Sequence, residues 1–219
     1  MSMRIDDDRA FFDDHQWRTI EAAMARIMPT DHEPGAREAG TVRFVDRYLS
    51  GIDYVYAQPD GTGFVQLEGK QATAWRQRIA TLRARYVEGI EHLDRRSRAL
   101  FGDDFSHLEP ERQDRVLAGL ETPDEAAADE VISSSAPARP AMQQSSAETD
   151  LDFFHLLVAH TRQGFYADPI YGGNADHVGW RVIGFPGPES LDDVHKGRYS
   201  TLPYFAPAPA DQPGMGETR

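Results

Sequence analysis

The chain has 219 residues, with 36 acidic side chains against 23 basic ones, a formal net charge of −13 and no cysteine. That balance argues against nucleic acid and anionic membrane surfaces as partners, since both are held by Lys and Arg neutralising phosphate. The lack of cysteine excludes disulfides, iron–sulfur ligation and thiol nucleophiles, while 40% hydrophobic content is enough for a core in one large or two small domains.

The opening residues, Met1-Ser2-Met3-Arg4-Ile5-Asp6, contain no basic region, apolar run or twin arginine. The chain as written is therefore expected in the cytoplasm, or in the periplasm if a signal has been removed or is supplied by a partner. No stretch has the length and apolarity of a transmembrane helix. Asp13 or Asp14 offers an N-cap, and Trp17, Ile20, Met24 and Ile27 predict a first helix that Pro29 ends. A second helix is expected from about Pro34 or Gly35 to Ser50, on the stripe Ala39, Val42, Val45 and Leu49, with Gly51 at its C′ position.

From Ile52 to Gly69 the pattern changes to alternation around Pro59-Asp60-Gly61-Thr62-Gly63, which fits a small hairpin or an aromatic-pinned loop. Its Gly-Thr-Gly has no P-loop lysine and no helix-opening context, so a phosphate cradle is disfavoured. The longest helix is predicted from about Gln71 to Phe101, through Trp75, Ile79, Leu82, Tyr86, Ile90 and Leu93. Its other face carries Arg76, Arg78, Arg83, Arg85, Arg95, Arg96 and Arg98, read as a solvated face in preference to a docking stripe. A fourth helix opens at Glu109-Pro110-Glu111, with proline at its first position. Residues 121–149 are acidic and then Ser/Ala/Pro-rich, a flexible low-complexity excursion that cannot fill a core. The last helix runs from an Asp150 cap to Gly164, and residues 188–219, with Tyr199, Tyr204 and Phe205 among prolines, read as an extended tail.

Between that helix and the tail lies the densest stretch of the chain. Residues 164–187 hold six glycines, two prolines and five aromatics. Gly172-Gly173-Asn174 asks for positive φ, while Pro169 and Pro186 force their predecessors out of helix. This is a shaped loop, of the kind that holds a ligand or docks on a partner. Asp168, Asp176 and His177 could bind a metal or act as acid and base; the competing reading is that such residues cap turns through their own backbone. His155 and His160, five apart, do not share a helix face as a zinc-binding pair would. There is no nucleophile elbow and no dinucleotide-binding glycine motif.

Several blocks are similar to one family. They are Ile27-Met28-Pro29-Thr30-Asp31 followed by Pro34-Gly35-Ala36-Arg37-Glu38-Ala39-Gly40, then Val45-Asp46-Arg47-Tyr48-Leu49. The most specific is Gly164-Phe165-Tyr166-Ala167-Asp168-Pro169, leading into Tyr171-Gly172-Gly173-Asn174, Gly179-Trp180 and Gly184-Phe185-Pro186-Gly187. In these the chain resembles the gluconate 2-dehydrogenase subunit 3 family. The resemblance implies a helical, non-catalytic small subunit that assists folding, cofactor loading or export of a flavin-carrying glucose–methanol–choline-type oxidoreductase. FAD is then expected in that partner and no cofactor in this chain, and a cytochrome c subunit often completes such complexes. Many members begin with a twin-arginine signal, which this sequence lacks.

The expectation is a mostly α fold of about five helices in one domain (1–187, with the excursion at 121–149), an irregular Gly/aromatic-rich loop and an extended tail over 188–219. Partner contacts are expected at Phe165, Tyr166, Pro169, Tyr171, Gly172, Gly173, Asn174, Gly179, Trp180, Arg181, Phe185 and Pro186. Gly172, Gly173 and Gly179 would let the backbone approach the partner closely, and Tyr171, Trp180 and Phe185 would fill its pockets. The alternatives are a stand-alone metal-assisted enzyme using Asp168, Asp176 and His177, and a self-associating module.

Overall fold

The computed structural model describes residues 9–121 and 148–187, together with Asp192 and Lys196. The rest of the tail, and the excursion from residue 122 to 147, lie outside them. Among the described residues the fold is helical: α1 (Asp14–Ile27), α2 (Thr41–Ser50), α3 (Gly69–Phe101), α4 (Pro110–Glu121), α5 (Phe153–Tyr166) and α6 (Val178–Val182). Six helices stand where about five were expected, because the shaped loop contains the short α6.

Local chemistry sets most boundaries. Asp13 caps α1 in a capping box with Gln16, each side chain accepting from the other residue's backbone N–H. The second helix starts at Thr41, later than the apolar stripe predicts, because Gly40 takes φ +63 and breaks the turn. Residues 35–40 are folded back instead, with Gly35 N–H and the Thr30 hydroxyl both donating to Glu38. At the end of the 33-residue α3, Gly102 adopts φ +81 and closes the helix. The cap of α5 is Asp152, which accepts from His155 N–H, and not Asp150.

Residues 52–68 combine both expectations. One antiparallel bridge joins Ala57 and Phe64, and rings pin it: Tyr54 on Phe64, and Tyr56 on Trp75.

The core is formed where α1, α2, α4 and α5 pack on α3, around Ile20, Met24, Val45, Leu49, Leu82, Tyr86, Leu93, Phe105 and Leu156. Asp46 of α2 is fully buried and ties down the chain ahead of α1. Its two oxygens accept from the backbone N–H groups of Ala10, Phe11 and Phe12, at 2.7, 3.0 and 2.7 Å.

Three arginines of α3 correct the solvated-face reading, while Arg76, Arg95 and Arg98 are exposed as it expects. Arg83 donates to the free carbonyls of Leu49 and Ser50 that end α2, and lies over the Phe11 ring. Arg85 donates to the carbonyls of Thr149 and Leu151, and Arg78 to the carboxylate of Glu148. Guanidinium forks thus clamp other elements onto the spine. Residues 148–149, the end of the supposed excursion, are built into the domain by them.

Candidate functional site

The glycine-rich loop is held against α5 by close backbone approach. A Cβ on Gly173 would lie 2.1 Å from the Gly164 carbonyl oxygen, and one on Gly179 would lie 1.9 Å from that of Phe165. No side chain fits at either place. Asn174, fully buried at φ +48, bridges the two arms of the loop. Its Nδ2 donates to the Ala167 carbonyl (2.8 Å), and its Oδ1 accepts from Gly179 N–H (2.7 Å). Ala175 N–H donates to the Ala39 carbonyl at 3.0 Å, fixing the loop to the turn before α2.

Trp180 is only 7% exposed. Its Nε1–H donates to the Tyr166 carbonyl at 2.8 Å, and the rings of His177 and Phe185 and the backbone of Gly187 cover it. The loop glycines and Trp180 therefore serve contacts within the chain, where they were expected to face outward. Phe165 and Asn174 are likewise internal. Pro169 opens a single 3-10 turn, whose end Gly172 closes at φ +102. Tyr166 (37%), Ile183 (56%) and Phe185 (36%) are the large apolar groups the loop exposes, with Pro186 and Arg181 beside them on the surface.

Through Tyr166, Ala167 and Tyr171 the same stretch helps to form an apolar cleft of about 420 Å³. Phe44 and Tyr48 come from α2, Tyr54 from the 3-10 turn after it, Gln163 and Tyr166 from α5, and Tyr171 from the loop. Tyr171 is held in place, since its hydroxyl accepts from Ala57 N–H at 3.1 Å and its ring meets Phe64. Arg47 lies over Tyr54 and donates to the Ile170 carbonyl, so loop and turn share one brace.

One wall of the cleft rests on a buried polar cluster. The Tyr48 hydroxyl donates to Glu148 at 3.1 Å, Arg78 Nε donates to the same oxygen at 3.1 Å, and His160 Nε2 meets the other. Tyr86 stacks on the His160 imidazole, with its hydroxyl 2.8 Å from Nδ1. Burial works to raise the Glu148 carboxyl, but the hydrogen bonds and charge of His160 and Arg78 outweigh it and hold the group at about 2. Burial and the adjacent Glu148 charge push the Tyr48 phenol well above its ordinary value. Such a network fixes the Tyr48 ring.

The residues proposed for metal or acid–base chemistry are not brought into such a centre. Asp168 Oδ1 accepts from Ile170 N–H at 2.9 Å and caps the turn. Asp176 and His177 are exposed in left-handed backbone. His155 pairs with the cap Asp152, and among the described residues no group of three or more His, Asp or Glu is placed to hold a metal ion. Sequence reasoning missed Phe44, Tyr48, Tyr54 and Gln163 as cleft residues, and missed Glu148 altogether. Tyr48 lay inside a quoted family block, the one signal that could have drawn attention to it.

Helices that clamp a glycine-tied loop beside an aromatic cleft define a small helical domain with a preformed apolar recess. The sequence pattern of gluconate 2-dehydrogenase subunit 3 matches residues 14–187, and the chain belongs to that family. No curated protein and no solved structure matches it. Among the described residues no helix is long and apolar enough to cross a membrane.

Proposed function

We propose that this chain is a non-catalytic accessory subunit that binds and stabilises the large, FAD-carrying oxidoreductase subunit of a sugar or sugar-acid dehydrogenase. Family membership supplies the context of a multi-subunit dehydrogenase. The single observation that carries the docking role is the aromatic cleft with Tyr166 exposed in its wall, on a loop that also exposes Ile183 and Phe185. Exposed rings on a backbone that cannot relax suit an interface, because little ordering is left to occur on binding. Docking then runs through Tyr166, Tyr171 and Phe185, while Trp180 acts from inside the loop by holding that surface in shape. The flavin stays in the partner, and a cytochrome c subunit, where present, contacts the partner.

Co-expression with the large flavoprotein subunit of the same organism tests this. The two chains should co-purify, and the yield of FAD-loaded large subunit should fall when this chain is omitted. The double variant Tyr166→Ala/Phe185→Ala should cut recovery of the complex about tenfold, a loss of roughly 1.4 kcal/mol in binding, with thermal unfolding of the isolated chain little changed. A large subunit that folds and loads FAD equally well alone, and does not retain this chain, would sink the reading.

A further inference from the structure

The cleft lies within reach of a segment of the same chain that has the chemistry to fill it. Residues 202–210 read Leu-Pro-Tyr-Phe-Ala-Pro-Ala-Pro-Ala. Prolines at this density fix φ and bias a segment toward polyproline II before it binds anything. Grooves lined with aromatic rings are the common receptors for that conformation. The cleft presents four tyrosine rings, at 48, 54, 166 and 171, with Phe44 beside them. No lining side chain carries a formal charge, and Gln163 offers an amide to the carbonyls that a polyproline II segment leaves free.

The exit of the tail is close by. Gly187 packs on Trp180, and Trp180 bonds the carbonyl of Tyr166, itself a wall of the cleft. Residues 188–201 intervene. Fourteen residues at about 3 Å each would span roughly 40 Å when extended, ample even though the Lys196 N–H donates back to the Asp192 carbonyl. A tether of that length gives an effective concentration on the order of millimolar, so even a weak site is occupied. A second copy of the chain has no such advantage, and it must also overcome repulsion between two molecules of charge −13.

We infer that residues 202–210 occupy the aromatic cleft of the free subunit, with Tyr204 and Phe205 as anchors. Only the consequence rests on the docking role proposed above: the large subunit must displace this segment, which shields the rings until the partner arrives.

Amide hydrogen exchange on the isolated full-length chain tests the inference without the partner. Amides of residues 204–210 should exchange at least tenfold more slowly than in a synthetic peptide of residues 200–211, at a rate independent of protein concentration. The full-length double variant Tyr204→Ala/Phe205→Ala should lose that protection and also speed exchange at residues 163–171. Tyr166→Ala, made in the cleft, should release the tail in the same way. Exchange at the free-peptide rate would overturn the inference. So would protection that grows with concentration, which signals a second copy, or protection indifferent to Tyr166→Ala, which places the segment elsewhere. Failure to co-purify with the large subunit is a separate readout that strikes the docking role and leaves the occupied cleft standing.

Discussion

Two loops of this protein have nearly the same glycine content and opposite physics. The segment at 57–69 contains Gly61, Gly63 and Gly69 at positive φ, and a Cβ on any of them would meet nothing within 4 Å. There glycine serves conformation alone. In the loop at 164–187, Gly173 and Gly179 need no unusual φ, yet each sits where a backbone carbonyl leaves no room for one more carbon. There glycine serves proximity. The first loop has open space beside its glycines; the second is fused to α5 and holds up one side of the cleft. A count of glycines cannot separate the two.

Substitutions sharpen the contrast. Gly179→Ala should be the most damaging, since its Cβ would stand 1.9 Å from the Phe165 carbonyl oxygen. We expect at least about 3–4 kcal/mol lost in urea unfolding, with Gly173→Ala close behind. A loss under 1 kcal/mol would show that the loop can lift off α5.

Glu148→Ala should follow at about 3 kcal/mol, because it strands the fully buried His160 and the partly buried Arg78 without their shared carboxylate. This cost depends on pH. A carboxyl held at about 2, against 4.5 when unfolded, contributes stability above pH 4.5 that is lost as pH falls toward 2. Wild type should therefore weaken between pH 5 and 3 more steeply than the variant; parallel curves would rule out the depressed carboxyl. Gly61→Ala should be mildest, about 1 kcal/mol from placing an alanine at φ +71 with free space around it. A larger loss there would mean the open loop is as constrained as the other.

Much of the scaffold was legible because its signals are local. The Asp13 cap, the three-and-four spacing of α3 and Pro110 at the start of α4 each act within a few residues. The start of α2 was misplaced because Gly40, one residue, overrides an apolar stripe that runs straight through it. Helix α6 was hidden in a stretch where glycine density argues for irregular structure; only tertiary contact at Gly179 and Asn174 makes it a helix. The candidate site was half legible. Tyr166, Tyr171 and Phe185 stand out as rings in a loop, but the other walls of the cleft come from α2 and the turn after it, more than 100 residues earlier. Glu148 was unreadable for the same reason. It closes a Ser/Ala-rich run, and its partners Arg78 and Tyr48 lie 70 and 100 positions away.

The carboxylate of Asp46 bears on where this domain can be cut. The family match begins at residue 14, immediately after the residues whose N–H groups Asp46 holds. Phe12, also upstream of that point, is 3% exposed in the core. A fragment excised at the family boundary would lose a core ring and leave a buried carboxylate facing no donors. The foldable unit thus starts at or before Ala10, and an expression fragment or fusion junction placed at residue 14 would be compared unfairly with the intact protein.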